Sequence, residues 1–104
     1  MKIQISNEAS YSLDRLIEIL YKKEYFGFIE SAEIYISNVY DFIYQNIESF
    51  PCKNTTIQLS NFGDKYIFYN TNARTTWFIL FEQKNSNYLV THIINNHCED
   101  AKWF

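Results

Sequence analysis

Residues 77–81 read Trp-Phe-Ile-Leu-Phe, an unbroken run of large apolar side chains. A strand sends successive side chains to opposite faces, so a strand built from this run is apolar on both. It needs cover on both sides, which places Thr75–Gln83 at the centre of a sheet. The rest of the chain must supply that cover.

Two further strands flank the run. Lys65–Asn70 precedes it, and Tyr88–Asn96 follows it after a hairpin turn at Asn85-Ser86-Asn87. Lys2–Ile5 alternates polar and apolar residues, as a short edge strand does. Residues 52–64 read as a polar loop, with a short strand at Thr55–Leu59 and a turn at Asn61-Phe62-Gly63-Asp64.

Helices occupy the first half. Ser6 or Asn7 can cap a helix in which Ala9, Leu13, Leu16, Ile17 and Leu20 form one stripe, with Glu8 at the positive end of its dipole and Lys22 and Lys23 in the last turn. Tyr25-Phe26-Gly27-Phe28 reads as a turn. A second helix follows, with Ile29, Ala32, Ile36, Val39, Ile43 and Ile47 as its inner stripe and Phe28, Tyr35, Tyr40 and Phe42 widening it. Pro51 ends it. The expected fold is α+β: a helical hairpin packed on a three- to four-stranded antiparallel sheet.

With 104 residues the chain, 1–104, makes one domain. Two glycines and one proline argue against disorder and long linkers. The net charge is −3 and unevenly spread. Residues 1–49 hold four basic and eight acidic groups (−4), and residues 50–104 hold five and four (+1). The total gives no push toward nonspecific nucleic-acid binding. Cys52 and Cys98 belong to no CxxC pair, and Met1–Ile5 lacks the apolar run of a signal peptide. No stretch reaches membrane-spanning length. A reduced cytoplasmic protein without a membrane association is the expectation.

Candidate chemistry lies in the sheet half. His97, at the end of the last strand, can exchange a proton near neutral pH or simply stand exposed. His92 alternates with Val90 and Ile94, so the pattern puts it on their face as a satisfied, half-buried histidine. Arg74 can clamp a phosphate through two donors or solubilise a turn. Lys65 and Lys84 end strands. Tyr66, Tyr69 and Tyr88 can stack bases, or serve as core. The spacing His92, His97, Cys98 matches no zinc pattern, and no glycine-rich cofactor loop exists. Neither metal nor cofactor is expected.

The order of edge strand, helix pair and antiparallel sheet, with YIFYN, TTWFILFE and YLVTHIINNH as strands, resembles the RelE/ParE family of bacterial toxins from type II toxin–antitoxin pairs. The likeness extends over nearly the whole chain and is most specific in the last forty residues, where the strand ending in Ile94-Asn95-Asn96-His97 is similar to the family's C-terminal pattern. It implies a toxin that inhibits growth through a macromolecular target and is neutralised by a cognate antitoxin. RelE-like members cut mRNA on the ribosome, whereas ParE-like members poison DNA gyrase without being nucleases. For the RelE-like mechanism, the resemblance implies His97 as acid or base, Arg74 and Lys65 as phosphate-facing cations, and Trp103 or Phe104 stacked on a base. Two departures favour a ParE-like or noncatalytic action. The chain is acidic, and Phe68, Trp77 and Phe78 stand where the RelE-like subfamily tends to carry basic residues. A non-toxic binding domain is the remaining alternative.

Overall fold

Trp77–Phe81 lies in the third of five strands, at the middle of the sheet. The computed structural model describes residues 2–22, 29–49, 51–71, 75–98, 101–102 and 104. Along the chain these form β1 (Lys2–Ile5), α1 (Asn7–Lys22), α2 (Ile29–Asn46), β2 (Lys53–Asn54), β3 (Lys65–Asn70), β4 (Thr76–Lys84) and β5 (Asn87–Asn95), with a turn of 3-10 helix at Ile57–Leu59. The strand order is β1-β5-β4-β3-β2. The α+β class stands, but the sheet has five strands and is mixed. β1 runs parallel to β5, and every other pairing is antiparallel.

Connectivity permits the parallel pair, because β1 reaches β5 through the long connection of helices and strands between them that such a pair needs. Ser6 makes the junction. Its backbone N–H donates to Val90 O at 2.9 Å and its hydroxyl to Thr91 O at 3.0 Å, while the same hydroxyl oxygen accepts from Ala9 N at 3.0 Å. One side chain thus caps α1 and anchors it to β5.

Both helices cover one face of the sheet. Ala9, Leu13 and Ile17 of α1, then Val39, Ile43 and Ile47 in and just after α2, form a single core with Ile67, Trp77, Ile79, Phe81, Tyr88, Val90 and Ile93. Each large apolar side chain removed from water there contributes about 1.5–3 kcal/mol. Leu16, Ile36, Tyr35, Tyr40 and Phe42 pack around it. The expected turn at Tyr25–Phe28 and the side chains of Leu20, Ile29 and Ala32 lie outside the described residues.

The other face has its own cover. Leu59 and Leu80 are buried there, outside the main cluster. The loop from Thr55 to Asp64 folds over it, closed by bonds from the Thr55 hydroxyl to Gly63 O (2.6 Å) and from Thr55 N to Asp64 O (3.0 Å). Two expectations change here. Lys53–Asn54 pairs with β3 as the fifth strand. Ile57–Leu59 is a helical turn, because closing this loop and burying Leu59 outweighs the strand preference of the run Thr55–Ile57.

A register shift between Leu80 and Phe81 corrects a third. Phe81 pairs with Val90 and Leu80 with His92, leaving Thr91 as the extra residue of a bulge. Val90 therefore joins the helix-facing core, while His92 and Ile94, paired with Leu80 and Phe78, stand on the opposite face.

Candidate functional site

The ends of β3, β4 and β5 that converge near residues 70, 76 and 95 hold the polar cluster that surrounds His97. Asn96 and Thr76 exchange two bonds, Asn96 N to Thr76 O and Thr76 N to Asn96 Oδ1, both 3.0 Å. The Thr76 hydroxyl donates to Asn70 Oδ1 at 2.5 Å. Asn95, 1% exposed, accepts at its Oδ1 from His97 N (3.0 Å) and from the Cys98 thiol (3.6 Å). These contacts fix the turn that presents His97.

The His97 ring is exposed and its Nε2 lies 3.2 Å from the hydroxyl of buried Thr75. One ring nitrogen is thus oriented by a neighbour, as a proton-transfer group requires. Thr75 also carries the end of a longer chain of donors. Trp77 Nε1–H donates to the Tyr35 hydroxyl (2.8 Å), Tyr35 OH lies 2.6 Å from Thr71 Oγ1, and Thr71 Oγ1–H donates to Thr75 O (3.2 Å). The core under α2 is therefore tied to the strand end that carries His97.

The other site residues named from sequence are dispersed. Lys65 pairs with Phe81 and lies on the helix-facing side. It stands five positions along the strand from Asn70 at the His97 end, roughly 17 Å. Lys2 and Lys84 both sit against Asn87, and Lys53 against Tyr66. Among the described residues the strand lysines thus occupy the half of the sheet away from His97. Arg74 and Trp103 lie outside the described residues. Phe104 stacks on Phe78, with ring centroids 3.9 Å apart and planes at 6°.

His92 is a packed side chain. Its Nδ1 lies 3.0 Å from Phe62 O, and since a carbonyl only accepts, the proton of this bond is on Nδ1. The Phe62 ring meets it edge-on at 4.5 Å. Ser12, Phe62, Leu80, His92 and Ile94 line a cleft of about 180 Å³, below the roughly 300–1,000 Å³ of ordinary small-molecule sites.

Sequence reasoning missed Thr75, Asn95 and the Trp77–Tyr35–Thr71 chain. Small polar residues at strand ends carry no pattern that distinguishes a buried role from an exposed one. The described residues contain no group of three or more potential metal-binding side chains, and none of their helices is long and apolar enough to cross a membrane. No family model, curated protein or solved structure matches the chain.

Proposed function

We propose that this chain is the toxin of a bacterial type II toxin–antitoxin pair of the RelE/ParE kind. It inhibits growth by binding a macromolecular machine, with DNA gyrase as the ParE-like target, and a cognate antitoxin neutralises it. One observation carries the choice of binding over catalysis. His97 stands at one end of the sheet, and Lys65, Lys53, Lys84 and Lys2 stand in the other half. Cleavage of RNA through a ribose 2′-hydroxyl needs the proton-transfer group and the cations around one phosphate. What supports the family reading is coarse: β1 and two helices precede β3, β4 and β5, with β2 and a 3-10 turn between them and β1 parallel to β5.

A second reading has its own support. The Thr75 hydroxyl orients His97, and Thr75 follows Arg74 in the chain. Together His97 and Arg74 would serve a RelE-like ribosome-dependent endoribonuclease. Induced expression of the native chain, His97→Ala and Arg74→Ala, read by growth and by primer extension on mRNA, separates the two. Growth arrest kept by both variants, without new mRNA ends, supports the binding toxin, and inhibition of gyrase supercoiling by the purified chain then identifies its target. Cuts abolished in both variants establish the nuclease. Harmless expression of the native chain sinks both readings.

A further inference from the structure

The cleft beside His92 enters neither reading. β1 pairs with β5 only as far as Ile5 and Val90. Past that point Ser12 of α1, Phe62 of the covering loop, and Leu80, His92 and Ile94 of the second face line a space of about 180 Å³. Its walls are apolar except for Ser12 and His92.

The His92 ring is held in one orientation. Its Nδ1–H donates to Phe62 O at 3.0 Å, and the Thr91 hydroxyl donates to the same oxygen. In the neutral ring Nε2 is then the acceptor. Among the described residues neither Nε2 nor the Ser12 hydroxyl has a hydrogen-bond partner. No side-chain polar atom of a described residue is both buried and unpartnered. Both groups are therefore reachable from outside, and the cleft they line is the opening at hand.

Size and lining set the ligand. An apolar space of about 150 Å³ walled by leucine, isoleucine and phenylalanine takes up one benzene ring. This cleft has the same kinds of wall and slightly more room. A wholly apolar guest would strip water from Nε2 without replacing its bond, which costs free energy. A guest that carries one donor on an aromatic ring avoids that cost. A charged guest would be desolvated with no acid, lysine or arginine in the lining to offset it.

We propose that this cleft binds a phenol. The ring lies among Phe62, Leu80 and Ile94, the hydroxyl donates to His92 Nε2, and Ser12 gives its oxygen a second partner. A free phenol and a tyrosine side chain share this chemistry. Comparing p-cresol with N-acetyltyrosinamide separates these sources, the tighter binder naming the source.

Titration of the full chain, labelled with nitrogen-15, at pH 8 tests the proposal by NMR. The ligands are phenol and toluene, its isostere without the donor. Phenol should bind with a Kd on the order of 1 mM. It should also move the His92 Nε2 resonance toward that of a hydrogen-bonded nitrogen, which toluene does not. Toluene is the more hydrophobic, so the reading is the ratio of the two affinities. That ratio should fall roughly tenfold in His92→Phe, the worth of one hydrogen bond. Ile94→Trp, at a half-buried wall position, should block both ligands while keeping His92, so the test stands even where His92→Phe does not fold. No phenol binding by the native chain up to about 10 mM overturns the proposal. So does an unchanged ratio in His92→Phe, full binding by Ile94→Trp, or shifts centred away from Phe62, Leu80, His92 and Ile94.

Discussion

The indole N–H of Trp77 donates to the hydroxyl of Tyr35 at 2.8 Å, joining a fully buried residue of β4 to the first half of α2. The two rings also meet edge-on at 6.0 Å. Tyr35→Phe keeps the ring and removes the acceptor, stranding a buried donor. The variant should lose about 1–2 kcal/mol of stability, read as a lower urea midpoint at unchanged slope.

Ser6 has two tasks, capping α1 through Ala9 N and holding Thr91 O. Ser6→Ala loses both, with an expected cost of about 1–2 kcal/mol in chemical denaturation. Ser6→Asp can restore the cap but donates nothing to Thr91 O, so it should recover only part of the loss.

Gly63 packs against the bulge in β5. A β carbon placed there would lie 2.7 Å from Thr91 Oγ1 and 3.1 Å from Phe81 N. Gly63→Ala should therefore destabilise by about 1–3 kcal/mol, the range for forced overpacking. Adding Thr91→Ala removes one clash and leaves the backbone one, so the double variant should remain below Thr91→Ala alone in melting temperature.

Asn95 accepts from His97 N and the Cys98 thiol while itself buried. Asn95→Ala should free the turn without unfolding the sheet. Hydrogen exchange at the His97 amide is expected to speed up by roughly five- to tenfold, matching the loss of one hydrogen bond. Amides of the β4–β5 ladder should keep their protection.

Local pattern was enough to locate most elements. The described parts of both helix stripes, the hairpin at Asn85, where φ is 57° as asparagine tolerates, and the central place of Trp77–Phe81 were legible because periodicity reports burial directly. His92 shows where this reasoning stops. Its alternation with Val90 pointed to a shared face, and one extra residue at Thr91 put the two on opposite faces. The candidate site was legible in residue type and not in arrangement. His97 and Lys65 are both near strand ends in sequence, but the antiparallel turns send those ends apart.

The sequence by itself determined that this chain buries a two-faced apolar strand under two amphipathic helices, because side-chain period is a local property. Only the tertiary structure decided that β1 lies parallel to β5, that Phe104 and the Thr55–Asp64 loop close the second face, and that the strand lysines among the described residues stand away from His97. Those outcomes depend on which distant backbone groups pair and how closely two segments approach. Register and close packing are properties of pairs of segments, and no single stretch of sequence contains them.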